Sequence, residues 1–474
     1  MMKKFFMLMV GMICFHIAGA SHYELCSPDK NVLLSVDVSE RISYSLSYKG
    51  DRILLPSEIS LTLEGGECLG KNSRVKRTVS RSIDTLIRPV AYKKSVIQDI
   101  YNELQLSFKN DFSVTFRVYN DGMAYRFETS KKGKIVVLEE KSEYNFDRDY
   151  EAWIQYANRW GEGDRFYTTF ENDYVKVPLS RISTGDTLVV SPVIVDMIDR
   201  KIALLEADVE DYPGMFMSAG TTGFSLKGEH AGVPMRTSIS GDEFVSEDNL
   251  EAVVKEGDRY PYMAVTEGRR TFPWRAVVIA ERDIDLTDND MVYKLAAPSR
   301  LTDVSWIKPG KVAWDWWIEC DLWNVDFKSG VNYETYCEYI DFAHENGLEY
   351  IIIDVGFSKI NDIMETNPDI QIEQLVKYAE SKKVGIIAWS GWLAIKDQME
   401  AACKKYSELG IKGFKIDYMN RDDQEVVNFY YDLARTAARY RLVLDFHGAY
   451  KPTGLQRTYP NVLSFEAVKG QEWC

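Results

Sequence analysis

The chain of 474 residues carries 57 Lys and Arg against 72 Asp and Glu, a formal charge of −15, and 45% of it is hydrophobic. With no basic excess to neutralise phosphates, nucleic acid is excluded as the expected partner, and the apolar fraction excludes wholesale disorder. At roughly 150 residues per domain, the length points to a large β unit plus a barrel-sized α/β unit.

Lys3 and Lys4 precede an apolar run over 5–15, and Ala18-Gly19-Ala20 ahead of Ser21 fits a small-residue cleavage site. We read residues 1–20 as a secretory signal peptide and expect an exported, periplasmic chain. A run that short cannot span a bilayer, and no later run reaches the roughly 18 apolar residues that a membrane helix needs. Ile13 stands where a lipidated Cys14 would require a small residue. The six later cysteines form no C-x-x-C pair and no Cys/His metal cluster, so buried unpaired thiols are expected.

From Asn31 to Leu295 the chain is written in period two. Apolar, β-branched runs at 32–38, 42–48, 104–108, 112–119, 135–138 and 276–280 are separated by turn chemistry such as Lys49-Gly50-Asp51 and Asn120-Asp121-Gly122. Many strands without helical stretches predict a large β-sandwich, which we assign to residues 21–298.

Near residue 300 the pattern changes. Strand-like runs at 312–317, 350–356, 386–392, 413–419, 442–448 and 462–468 alternate with helical stretches at 333–346, 370–382, 395–409 and 424–440. Gly347, Gly385 and Gly410 fall where helices should stop. No glycine-rich phosphate fingerprint follows the first strand, so an open dinucleotide-binding sheet is disfavoured against a (β/α)8 TIM barrel over 299–474. Six units are written and two more would close the barrel, so the expectation is a barrel incomplete at its C-terminus, a truncated product.

In a barrel the chemistry sits at the C-terminal strand ends. Here those ends carry Trp314-Asp315-Trp316-Trp317, then Asp354, Trp389, Lys415 with Asp417, Asp445 with His447, and Glu466 followed by Glu472. Alternation places Lys415 and Asp417 on one face of their strand, where the lysine could hold the carboxylate ionised and donate to a substrate hydroxyl. Five of the eleven tryptophans fall between Trp306 and Trp323, and flat aromatic faces beside carboxylates suit a neutral, hydroxyl-rich ring. Read as strand neighbours, Trp316 and Trp317 point opposite ways. Paired carboxylates are the apparatus of glycoside hydrolysis, one acting as nucleophile or water activator and the other as acid, and Asp417 with Glu472 is the best placed pair. No Ser/His/Asp elbow, phosphate loop or HExxH competes with it.

At these residues the chain closely resembles glycoside hydrolase family 97. The resemblance rests on Trp306-Ile307-Lys308-Pro309-Gly310-Lys311 leading into Val312-Ala313-Trp314-Asp315-Trp316-Trp317, and on the run 413–419. Two further pieces are His447-Gly448-Ala449-Tyr450-Lys451-Pro452-Thr453-Gly454 and Glu466-Ala467-Val468-Lys469-Gly470-Gln471-Glu472. It implies an exported bacterial α-glycosidase with an N-terminal β-super-sandwich, a catalytic (β/α)8 barrel and a further C-terminal β domain. Inverting members carry a glutamate base directly after the strand-five histidine, where this chain has Gly448. Retaining members, typified by α-galactosidases, carry a nucleophilic aspartate where Asp417 stands.

By that resemblance Asp417 is the nucleophile, Glu472 the general acid/base, and the substrate an α-galactoside or related oligosaccharide. The resemblance also implies one calcium held by Glu171, Glu466 and Glu472, whose hard oxygens suit that ion. A solvated loop carboxylate is the competing reading of Glu171. Trp314, Asp354, Lys415 and His447 are expected sugar contacts by position. Two alternatives stay open: a retaining enzyme on another α-glycoside, and a non-catalytic glycan-binding protein with an incomplete barrel.

Overall fold

A computed structural model describes residues 14–17, 20–157, 162–185, 187–221, 223–239 and 252–470. They divide into two compact units, the first comprising 1–157, 173–233 and 260–296, the second 158–172, 234–259 and 297–474. The stretch assigned above to the β-sandwich therefore lends two excursions to the second unit.

The first unit is built on an 18-stranded sheet whose paired strands run antiparallel. Its alternating sequence explains its layering. In Val32–Val38 and Ile42–Tyr48, every second residue is buried, so Val32, Leu34 and Val36 share a core with Ile42, Tyr44 and Leu46. Removing each such side chain from water contributes about 1.5–3 kcal/mol.

The turns follow their chemistry. Tyr48 pairs with Asp51 across a two-residue loop in which Lys49 and Gly50 both have positive φ, the primed turn that matches strand twist. Tyr119 pairs with Gly122 across Asn120-Asp121, and a Cβ on Gly122 would lie 2.1 Å from the Val277 carbonyl oxygen, so close backbone approach demands glycine there. The strand Cys14–Ile17 pairs with Ala20–Cys26 and lies within the segment read as a leader, whose residues 1–13 fall outside the described part. Cys26, Cys68, Cys320, Cys337 and Cys403 are free thiols.

The second unit carries six parallel strands, β1 (Val312–Trp314), β2 (Tyr350–Ile353), β3 (Gly385–Gly391), β4 (Gly413–Asp417), β5 (Val443–His447) and β6 (Val462–Glu466), neighbours in space as in sequence. Helices α1 (Tyr333–Glu345), α2 (Ile372–Lys382), α3 (Trp392–Lys396), α4 (Met399–Leu409), α5 (Gln424–Arg439) and α6 (Leu455–Thr458) connect them. Parallel pairing needs such crossovers, and it brings every strand's C-terminal end to one edge. Among the described residues this is a six-stranded, half-barrel-like sheet, with the six strands that the sequence reading expected of an incomplete (β/α)8 barrel and without closure into a full one.

Three local expectations are corrected. The first strand stops at Trp314, because Asp315 adopts helical backbone angles and starts a 3₁₀ turn over Trp316–Ile318. The helix expected over 395–409 is two helices, with Asp397 and Gln398 between them. Gly385 does not end a helix. Lys383 does so with φ +62°, and Gly385 opens β3 where a Cβ would meet the Tyr350 ring at 2.6 Å.

Candidate active site

All five residues of β4 are buried, and alternation sets Lys415 and Asp417 on one face, as its sequence predicts. Register places Trp389 of β3 and Asp445 of β5 opposite Lys415. Three donors fix the Asp417 carboxylate. The Tyr418 amide donates to Oδ1 at 2.8 Å, while Trp389 Nε1 at 3.1 Å and His447 Nδ1 at 3.0 Å face Oδ2.

His447 ends β5 and its other ring nitrogen, Nε2, lies 2.9 Å from Glu171 Oε1 and 3.8 Å from Glu466 Oε2. An imidazole between carboxylates is stabilised as the cation, with both nitrogens donating. Burial acts against that charge, but the Asp417 carboxylate and the hydrogen bonds to Asp417 and Glu171 outweigh it and push His447 up to about 11. Burial likewise pushes Asp417 up, and the His447 cation, then Lys415 and the Trp389 bond, pull it down to about 2. Asp417 is thus a buried, ionised carboxylate at a strand end.

Lys415 favours the ionised form of Asp417 by its charge, as the sequence reading expects, without a hydrogen bond to it. Its Nζ lies 2.9 Å from Asp354 Oδ2 and 4.2 Å from the centre of the Trp314 ring, and Trp314 Nε1 donates to the same Asp354 oxygen at 2.6 Å. The reason is reach: β2 and β1 end beside the lysine, and their carboxylate and indole enclose its ammonium. Lys415 acts on Asp417 only through space, after His447. Behind this group Asp315 accepts from Tyr336 Oη at 2.8 Å and from the Asp354 amide at 3.3 Å. Burial and the nearby Asp354 charge push Asp315 up to about 6.

The sequence-nominated residues therefore fall into two neighbouring groups, Trp314 with Asp354 and Lys415, and Asp417 with His447, Glu171 and Glu466, with Lys415 and Asp417 two residues apart on one face of β4. Glu171 is buried against His447, not a solvated loop carboxylate. Glu472 lies outside the described residues. Trp316 and Trp317 sit in the 3₁₀ turn, both exposed, so the opposed-faces argument made for a strand does not apply to them. Two carboxylates, Glu171 and Glu466, converge on one point beside His447, a hard-oxygen set that suits calcium. Among the described residues no cluster of three metal-ligating side chains is present.

Sequence reasoning missed what holds Glu171 in place. The excursion 162–172 is joined to the end of β4 by the Thr168 amide, which donates to the Asn420 carbonyl at 3.0 Å. Arg259 is ion-paired with Asp164 and lies 3.0 Å from Asp423 Oδ2, and Arg421 reaches the same Asp423 oxygen at 2.8 Å. Arg421 also donates to the Ala252 carbonyl at 2.9 Å. Asp423 meanwhile caps α5 through the Val426 amide. The only signal in the chain was the charge cluster Arg421-Asp422-Asp423 just after β4.

Residues 25–298 match the model of the glycosyl-hydrolase 97 N-terminal domain, and residues 313–468 match that of glycoside hydrolase 97. A retaining alpha-galactosidase of Bacteroides thetaiotaomicron is 42% identical over 99% of the chain, which spans 71% of that relative. A probable retaining alpha-galactosidase of Streptomyces bingchenggensis is 26% identical over 91% of the chain, which spans 62% of it. A family 97 enzyme from Pseudoalteromonas sp. strain K8, solved with acarbose, superposes with a TM-score of 0.80 at 22% identity, over 95% of this chain and 70% of that one. A beta-arabinopyranosidase structure gives 0.77 at 23% identity over the same shares. With both domains of the family matched in order along the sequence, the chain belongs to glycoside hydrolase family 97.

Proposed function

We propose that this protein is a retaining, exo-acting α-galactosidase working by double displacement. The observation that carries the reading is the Asp417 carboxylate, buried at the end of β4 and held ionised by His447 and Trp389. A nucleophile must be ionised and fixed in direction, and both conditions are met there. The 42% identical relative, named a retaining alpha-galactosidase, supports the sugar.

In the first step an Asp417 oxygen attacks the anomeric carbon as the glycosidic bond breaks, and Glu472 gives its proton to the departing oxygen. A covalent β-galactosyl ester results. In the second step Glu472 takes a proton from water, whose oxygen attacks the same carbon and displaces Asp417, releasing α-galactose. Trp314 offers its face to the sugar and Asp354 and Lys415 bond its hydroxyls, while His447, expected as a sugar contact, has both ring nitrogens committed to Asp417 and Glu171 and orients those carboxylates. Calcium, held by Glu171, Glu466 and Glu472, would supply fixed positive charge beside those oxygens. Export to the periplasm after cleavage ahead of Ser21 belongs to the same proposal, and N-terminal sequencing of the secreted protein tests it.

The test of the reaction is hydrolysis of p-nitrophenyl α-galactoside and α-glucoside, with and without EDTA, with the first product anomer followed by NMR. Faster turnover of the galactoside, α-galactose first and loss on chelation are expected. Initial β-galactose overturns the role of Asp417. No turnover on either substrate favours the non-catalytic glycan-binding reading.

A further inference from the structure

The first unit contains a break in its sheet. Along one edge of the strand Gly122–Asn145, Lys134 to Val137 pair with Ala264 to Glu267, and Glu143 to Asn145 pair with Ser225 to Lys227. Among the described residues, 138–142 have no strand partner on that edge, although 139–142 stay laddered on their other edge to Ile59–Thr62. Alternate backbone amides and carbonyls of 138–142 therefore point into the gap. A cavity of about 410 Å³ fills it, lined by 138–143, 227–230 and 260–263 among others.

The walls are of two kinds. On one side the rings of Tyr260 and Tyr262 stack with centroids 4.9 Å apart and 12° between planes, and Tyr260 is 40% exposed. Backbone bonds fix them, Tyr260 N to the Val233 carbonyl at 2.8 Å and Val233 N to the Tyr262 carbonyl at 2.9 Å. On the other side lie two ion pairs, Lys141 with Glu143 at 3.0 Å and Lys227 with Glu229 at 3.0 Å. Each pair is neutral in itself and the lining as a whole is acidic, which disfavours an anionic ligand.

His230 also lines the cleft. Its Nδ1 faces the Gly214 carbonyl at 3.0 Å, which makes Nδ1 the donor, and its Nε2 is buried with no hydrogen-bond partner among the described residues. Burial, with the nearby Arg275 charge, holds His230 down at about 4, so near neutral pH this wall of the cleft is an uncharged imidazole.

From this juxtaposition we infer that the cleft between residues 138–143, 227–230 and Tyr260/Tyr262 is a saccharide-binding site in the β-rich unit, separate from the Asp417 network of the second unit. A pyranose presents an apolar face for the tyrosines and a ring of hydroxyls that both donate and accept. It can share the charged pairs and bond the unladdered backbone groups at once. A nucleotide or an acidic peptide would meet four glutamates, Glu139, Glu140, Glu143 and Glu229, against two lysines. The site needs no chemistry and stands independently of the reaction proposed above.

Hydrogen exchange of the full chain, read by mass spectrometry, tests it with lactose, cellobiose and maltose as probes. Peptides covering 138–142 and 227–232 are expected to exchange at least about threefold more slowly with one or more of these sugars. The protection is expected to vanish in Tyr260→Ala and in Tyr260→Ala/Tyr262→Ala. Hydrolysis of p-nitrophenyl α-galactoside should stay within about twofold of wild type in both variants. No protection with any of the three sugars, or protection undiminished in both variants, overturns the inference. Galacturonate oligomers protecting better than the neutral sugars would also overturn it.

Discussion

Asp417 of β4 and His447 of β5 face each other across neighbouring strands, Oδ2 and Nδ1 3.0 Å apart, and the same imidazole reaches Glu171 from a different part of the chain at 2.9 Å. One cation thus ties the strand-end carboxylate to the loop glutamate. Removing the Asp417 carboxylate tests its assignment directly. Asp417→Ala should lower turnover of p-nitrophenyl α-galactoside at least about a thousandfold. Added azide should restore product as the β-galactosyl azide, identified by NMR. An α-azide, or activity within tenfold of wild type, would sink the nucleophile assignment.

The Lys415–Asp354 pair is almost wholly buried, with side-chain exposures of 3% and 4%. Removing one partner leaves the other charged in a dry site, at a cost of about 3–5 kcal/mol. Urea unfolding of Lys415→Met should show a loss of that size. Lys415→Met/Asp354→Asn should regain at least half of it while activity stays low, because the hydroxyl partners are gone. A single-variant loss below about 1 kcal/mol contradicts the buried-pair reading.

Arg259 joins Asp164 to Asp423 and so fastens the segment that carries Glu171. Arg259→Ala is expected to lower kcat by about ten- to a hundredfold through misplacement of that segment, with a smaller change in KM. Arg259→Lys should recover part of the loss. If the alanine variant keeps wild-type kcat and only melts earlier, the contact is structural alone.

Asp315 is held up at about 6, above its ordinary value of 3.8, by burial and the Asp354 charge. Its native form therefore binds a proton that the unfolded chain releases, so its contribution to stability is whole below about pH 4 and is lost as pH rises through 6. Relative to Asp315→Asn, the wild type should lose about 2–3 kcal/mol between pH 4 and pH 7. Denaturant midpoints of the two proteins across that range check it, and parallel curves would overturn it.

Gly448 follows His447 with φ +57°, and a Cβ there would stand 2.6 Å from Asn420 Oδ1. Gly448→Ala should cost at least about 1–2 kcal/mol from the left-handed backbone. The displaced Asn420 should also weaken the loop that receives the Thr168 amide. Thermal melting together with kcat separates the two effects.

Much of the fold was legible because it is written locally. The runs at 32–38, 42–48 and 112–119 are strands with those same limits, since period-two burial needs nothing beyond neighbouring residues. The strand ends of the second unit were readable for the same reason, and so were the residues gathered there. The errors fell where a neighbour in space decides. The first strand ends early because Asp315 turns inward to Tyr336 and the Asp354 amide. Gly385 belongs to a strand because Tyr350 leaves no room for a Cβ.

The sequence by itself determined the order of elements, the acidic charge, the two-part organisation and the set of polar residues at the sheet edge, because periodicity and turn chemistry act over a few residues. Only the tertiary structure decided the partners. Lys415 pairs with Asp354, His447 is the cation in contact with Asp417, and Glu171 is buried on His447 across 276 positions of sequence. A charge in a low-dielectric interior is stabilised by whichever opposite charge lies within a few ångströms, and chain separation carries no record of that distance.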